Sequence, residues 1–380
     1  MQRKYFEEEH IMFEEAVREF VKKEMVPHVA QWEKDGQVSR EVWKKGAELG
    51  LLGIDIPEEY GGLGLKDHRY NTILMQEMAR AYVVGPGFSA QNEIVLPYLN
   101  EYGTAEQKKK FLPKMANGDW IGALAMSEPA AGSDVKGIRT VAVDKGDHFV
   151  VNGSKTFITN GFMCDFAVTA VKTAPDKGAK GVSLLLMESS FDGFTKGKKL
   201  DKIGLKSQDT GELFFEDVIV PKENLLGDLD RGFYHMMHNL PQERLSIAIG
   251  AIGAMESALR DTIQYCKDRV AFGQPIGKFQ NSRFKLAEMD TELTIARTFV
   301  DECVMELVEN KLTAIKAAKA KYWVSDLQCK LMDQCLQLHG GYGYINEYPI
   351  AKAWRDARIG PIYGGTNEIM KEIIGRSLGF

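Results

Sequence analysis

Apolar residues change their spacing twice along this chain. Up to about Gly118, Phe6, Phe13, Val17, Phe20 and Val21 return every three or four positions, and Val42, Ala47, Leu49 and Leu52 follow more loosely. That period puts apolar side chains on one face of a helix. A Gly-rich stretch (IPEEYGGLGLKD, 56–67) interrupts the pattern, and the run NTILMQEMARAY restores it. Pro113 and Asn117-Gly118 punctuate its end.

From about Asp119 to Pro221 the runs are short and β-like. Asn152-Gly153 stands between FVV and KTFIT, and Asn-Gly tolerates positive φ at both central turn positions, so this dipeptide predicts a hairpin. VSLLLME and ELFFEDVIVP predict further strands. Strands between helical flanks predict a barrel or sandwich. From about Arg231 the helical period returns. Leu245, Ala248, Ile249, Ile252, Met255 and Leu259 make one stripe, and Leu286, Leu293, Ala296, Val300 and Leu307 make a near-heptad one. A third helix is predicted from about Ala314 to Leu338, and long amphipathic helices on short connections predict an antiparallel bundle. The expected fold is α+β multidomain: an N-terminal α-helical domain (1–118), a middle β-barrel domain (119–229) and a C-terminal four-helix-bundle domain (230–380).

Composition narrows the class. The 380 residues are 44% hydrophobic and 27% charged, which suits a soluble chain with a sizeable core. A net charge of −5 argues against nucleic acid as a partner. Five scattered cysteines (Cys164, Cys266, Cys303, Cys329, Cys335) without a C-x-x-C pair predict free thiols in a reducing compartment. The opening MQRKYFEEEH lacks an apolar signal core, and no window of ~18 apolar residues predicts a membrane span. The cytoplasm is the expected compartment, although a mature mitochondrial matrix enzyme reads the same.

Several catalytic motifs are missing. The stretch from Gly341 to Asn346 lacks the third glycine of G-x-G-x-x-G, and the stretch from Gly273 to Lys278 is too short for a phosphate-binding P-loop. His235 and His238 are three apart with no Glu between them, so no metal site is expected. No G-x-S-x-G elbow occurs. Lys196, Lys198, Lys199, Lys202 and Lys206 read as a solvated loop, Gly85-Pro86-Gly87 as a helix break, and Met75, Met78, Met115 and Met126 as core filler.

Four segments remain: LAMSEPAAGSD (124–134), KTFITNG (155–161), LPQERLSIA (240–248), read as opening a long helix, and QLHGGYGY…EYPIAKAWRDARIGPIYGGTNEIMKEIIGR near the C-terminus. In this order and spacing they resemble the acyl-CoA dehydrogenase family over essentially the whole chain, most closely its long-chain members. The resemblance implies FAD-dependent α,β-dehydrogenation of a medium-to-long-chain acyl-CoA to the trans-2-enoyl-CoA. It also implies reoxidation by an electron-transferring flavoprotein and a homotetramer. A branched-chain or isovaleryl-type dehydrogenase, an acyl-CoA oxidase and a non-catalytic flavoprotein of the same fold are the alternatives.

The base is the sharpest expectation. Many members carry a Glu where this chain has Gly364, whereas long-chain and isovaleryl-type members carry it at the position of Glu243. Spacing alone makes Glu243 a solvated first-turn residue favoured by the helix dipole after Pro241. The resemblance makes it the general base, with Gly364 leaving room for it. For FAD the resemblance implies Leu124, Met126, Ser127, Gly132, Ser133, Phe157, Ile158, Thr159, Thr366, Asn367 and Glu368. Arg269, Gln280, Gln337, Leu338, His339, Gly340 and Gly341 are implied to bind it across a subunit boundary. For the acyl-CoA it implies Ser133, Lys180, Tyr234, Pro241, Gln242, Arg244, Gly364 and Gly365. Without it, Phe157 reads as a core strand aromatic.

Overall fold

A computed structural model describes residue 3 and residues 5–380. Met1, Gln2 and Lys4, part of the opening stretch read above for a signal, lie outside the described residues. Helices come first: α1 (Glu8–Phe20), α2 (Val29–Asp35), α3 (Arg40–Glu48), α4 (His68–Arg80), α5 (Phe88–Ala90), α6 (Leu96–Tyr102) and α7 (Ala105–Ala116). Val17, Val21, Val42 and Leu52 of the apolar stripes are buried in their core, while Leu49 is exposed.

The middle region is an eight-stranded sheet. Its strands are β1 (Gly122–Ala125), β2 (Val141–Asp144), β3 (His148–Thr159), β4 (Phe166–Lys172), β5 (Val182–Glu188), β6 (Phe194–Lys199), β7 (Thr210–Pro221) and β8 (Leu225–Leu226). They pair in the order β6-β7-β3-β2-β4-β5-β8, with β1 beside β4. This sheet is the β domain expected between the helical flanks; its pairing path runs from β6 to β8, which are not paired with each other among the described residues. β4 is buried on both faces, and its period of two explains why. Phe166, Val168 and Ala170 pack toward α6 and α7, while Ala167 and Val171 enter the sheet's own core with Leu185 and Met187.

The expected Asn152-Gly153 hairpin is absent. Both halves of β3 pair with the single strand β7, and the register slips between Val151 and Gly153. The dipeptide therefore marks a bulge, not a reversal. A Cβ on Gly153 would lie 2.5 Å from the Thr140 hydroxyl, so the glycine serves close approach of β3 to the segment before β2. The lysine run is also not a free solvated loop. Lys196, Lys199 and Lys202 donate to the carbonyls of Cys164, Asp35 and Gln208.

The rest of the chain is helical: α8 (Gly232–Asp268), a ribbon of β9 (Val270–Ala271) and β10 (Gln274–Pro275), α9 (Gln280–Val308), α10 (Ala314–His339), α11 (Pro349–Ala357) and α12 (Asn367–Ser377). The two predicted stripes meet in one core, where α10 packs against α8, α9, α11 and α12. Helix α4 lies against α8 and joins the N-terminal helices to this bundle. No helix among the described residues is long and apolar enough to cross a membrane.

Candidate active site

The long helix α8 passes through Pro241, nine residues after its start at Gly232. Proline has no N–H, so the Met237 carbonyl one turn earlier loses its helical partner. Glu243 is therefore mid-helix, not in a first turn, and the dipole explanation does not apply. Its side chain is 6% exposed, and the Tyr98 hydroxyl donates to its Oε1 at 3.1 Å. Burial pushes the Glu243 carboxyl up to about 7, against the opposing pull of the Tyr98 hydroxyl and the Arg244 charge.

Arg244 points the other way. It is buried, and its Nε donates to the Gly364 carbonyl at 3.3 Å. An arginine so placed holds the 364–365 turn. Gly364 and Gly365 adopt φ +63° and +91°. The space a side chain at 364 would take is occupied by Ile247, whose Cδ1 lies 2.5 Å from an ideal Cβ there. The room left by Gly364 is thus filled from α8 one turn beyond Glu243.

Lys321 fixes the same turn from α10. Fully buried, its Nζ donates to the Gly365 carbonyl at 2.7 Å and to Asn367 Oδ1 at 2.9 Å, and burial brings its ammonium down to about 8. The Asn367 amide nitrogen donates to the Tyr322 carbonyl, Ser325 and Asp326. That side-chain amide is bonded inside the protein. Thr366 caps α12 by accepting from the Ile369 N–H, and Glu368 opens that helix.

A second wall comes from the sheet. Leu124 and Met126 are half-buried against the helical layer, and the Ser127 carbonyl accepts from Thr156 N at 3.0 Å. The fully buried Lys155 ammonium donates to Glu128 at 2.8 Å, tying this loop to β3, while Gly132 and Ser133 lie exposed beyond it. Phe157 is 70% exposed with φ +59°, at a second slip in the β3–β7 register. A bulky residue seldom holds that backbone, and the core-aromatic reading fails. The Ile158 side chain turns into the sheet core, and Thr159 ends the strand half-buried.

The remaining residues fall in two places. Tyr265, Arg269 and residues 337–342 line an open groove of about 470 Å³. Arg269 lies over the Tyr342 ring, and buried His339 is stacked on Tyr265. Gln280 is exposed at the start of α9. Tyr234 is exposed near the start of α8, while Gln242 donates to the buried Glu93 at 3.3 Å. Lys180 is exposed in the turn before β5. The His235 ring lies tilted against Tyr102, and His238 pairs with Glu101. Sequence reasoning missed Tyr98, Lys321 and Ile247. Each lies in an ordinary helical run, so only tertiary contact distinguishes it.

Known proteins share this arrangement. Models of the acyl-CoA dehydrogenase N-terminal, middle and C-terminal domains match residues 7–119, 123–218 and 230–379. The chain is 49% identical to the mitochondrial long-chain specific acyl-CoA dehydrogenase of Mus musculus, covering 99% of this chain and 88% of that one. It is 38% identical to the mitochondrial isovaleryl-CoA dehydrogenase of Solanum tuberosum, with 98% and 91% covered. The solved acyl-CoA dehydrogenase of Geobacillus kaustophilus superposes with a TM-score of 0.96 at 46% identity over all of both chains. Three matched domains, full-length relatives and a helical–sheet–helical fold converge: the chain belongs to the acyl-CoA dehydrogenase family, whose members are FAD-dependent oxidoreductases.

Proposed function

We propose that this chain converts a medium-to-long, straight-chain acyl-CoA to its trans-2-enoyl-CoA, with Glu243 removing the α-proton. The carrying observation is a buried glutamate hydrogen-bonded by Tyr98; burial pushes its carboxyl up to about 7. A proton α to a thioester is a very weak acid, so its base must be dry and poised near the working pH. The thioester oxygen needs fixed donors. The Gly364 N–H is assigned that task, on a turn clamped by Arg244 and Lys321.

Bound FAD supplies the acceptor for the β-hydrogen, taken as hydride. Exposed Phe157 would cover its ring, and Thr159 and Ser127 would be its polar neighbours. The Arg269 groove would hold the phosphates of an FAD shared with a partner subunit, since a guanidinium fork bonds two phosphate oxygens. This reading favours a homotetramer and is supported by exposed apolar side chains on the segments that follow the groove residues Arg269 and Tyr342, with Phe272 96% exposed and Val270 and Tyr344 also open. Exposed Ser133 and Lys180 are assigned to the CoA arm. Electron-transferring flavoprotein is the assigned acceptor. Free cysteines suit a reducing compartment, the cytoplasm or a mitochondrial matrix.

Each methylene buried by the acyl chain contributes ~0.8 kcal/mol, so eight more carbons add roughly 6 kcal/mol. A kcat/KM series from butyryl- to palmitoyl-CoA, with isovaleryl-CoA included, tests the assignment. Rising values toward long straight chains support it. A maximum at isovaleryl-CoA transfers it to the branched-chain reading, which the Solanum tuberosum relative favours. No turnover with any acyl-CoA contradicts both.

A further inference from the structure

Glu243 sits on α8, yet the hydroxyl bound to its carboxylate comes from α6, in the N-terminal helices. Tyr98 is fully buried and packs with Leu96, Leu99, Phe111 and Met236. Its ring therefore has no freedom to follow a wandering carboxylate. Glu243 lies two residues after Pro241, where α8 lacks one backbone hydrogen bond. A fixed point from outside the helix is what such a side chain needs.

We propose that Tyr98 is a positioning residue for the reaction: its phenol aims the Glu243 carboxylate and sets the pH at which it becomes a base. The inference rests on Glu243 being that base. Tyr98 and Arg244 act on the carboxylate directly. The other titratable groups on the neighbouring elements are Tyr102 and Glu101 on α6, Glu93 and His68 near Gln242, and Lys321 on α10. Tyr98 and Arg244 both favour the charged form. Arg244 is turned to Gly364, and Tyr102 is turned to Asn239. Glu93 meets His68 at 3.2 Å and Gln242 at 3.3 Å. Lys321 is committed to Gly365 and Asn367. Tyr98 is thus the group in direct contact with the carboxylate. A phenol donates to a carboxylate and accepts from a carboxylic acid, so the contact persists after Glu243 takes the α-proton.

The test is the pH profile of kcat/KM for palmitoyl-CoA with Tyr98→Phe holoenzyme, which keeps the ring and removes the hydroxyl. Loss of a hydrogen bond to a charged group shifts the apparent ionisation upward by roughly one unit or more. Activity then falls about tenfold at pH 6 and recovers toward the parent at pH 9, with FAD content unchanged. Tyr98→Met, a second variant without the hydroxyl, shifts the same way. Profiles that superimpose, or a uniform loss with an unmoved midpoint, overturn the inference. An inactive Glu243→Gln alongside an unmoved Tyr98→Phe profile overturns this inference alone. An active Glu243→Gln overturns the base assignment beneath it.

Discussion

Arg244 and Gly364 are joined by a hydrogen bond, Nε to carbonyl oxygen at 3.3 Å, across 120 residues of sequence. Its direction matters because Glu243, the next residue back, faces Tyr98 instead. Adjacent residues on one helix thus face two ways: Arg244 holds the 364–365 turn, and Glu243 meets Tyr98, the division of labour that the proposed reaction uses.

Replacing Arg244 with Ala frees that turn. A hydrogen bond from a charged donor contributes about 1.5–3 kcal/mol. The expected loss in kcat/KM is roughly ten- to a hundredfold. FAD content stays near the parent's, because the Arg269 groove lies elsewhere. A parallel loss of FAD, read from the flavin-to-protein absorbance ratio, contradicts this division of labour.

Gly364→Glu, placed on a Glu243→Gln background, tests whether a base can be moved across the site. The backbone there has φ +63°, and the new side chain meets Ile247. A side chain in the left-handed region costs about 1–2 kcal/mol. Little activity returns from this change alone, and trimming Ile247 to Ala raises it further. Full recovery without the trim shows that the carboxylate's place is not limited by packing.

The raised Glu243 carboxyl also makes a prediction about stability. In the unfolded chain it titrates near 4.5, and in the folded protein at about 7. Between those values the folded state holds the proton more tightly, so folding is favoured at low pH and loses stability as pH rises to 7. Glu243→Gln escapes that loss. It melts like the parent at pH 4.5 and is more stable by up to roughly 3 kcal/mol at pH 8. Melting curves across that range check it, and a constant gap contradicts burial as the cause of the shift.

How much of this was legible in the sequence depends on whether local pattern or tertiary packing decided each residue. The stripes on α8 and α9 predicted their own core, because helical period is a local property. The helical–sheet–helical order followed in the same way. Asn152-Gly153 misled because a bulge and a hairpin demand the same backbone freedom, and only the pairing of both halves with β7 separates them. Glu243 was found through resemblance, since nothing in Pro-Gln-Glu-Arg says the helix already began at Gly232. Tyr98 and Lys321 were not found at all. A buried tyrosine and a buried lysine in helical runs look ordinary until their partners on α8 and in the 364–367 turn come within hydrogen-bond distance.

The central claim is that Glu243 is the base. The direct measurement is anaerobic mixing of palmitoyl-CoA with FAD-loaded parent and Glu243→Gln, following the flavin absorbance near 450 nm in a stopped-flow cell (a wavelength at roughly the oxidised flavin maximum, set by the cofactor's own chemistry). With Glu243 as base, the parent bleaches rapidly, and the variant binds the CoA ester with no bleaching on the same timescale. Bleaching of Glu243→Gln at a rate near the parent's contradicts it.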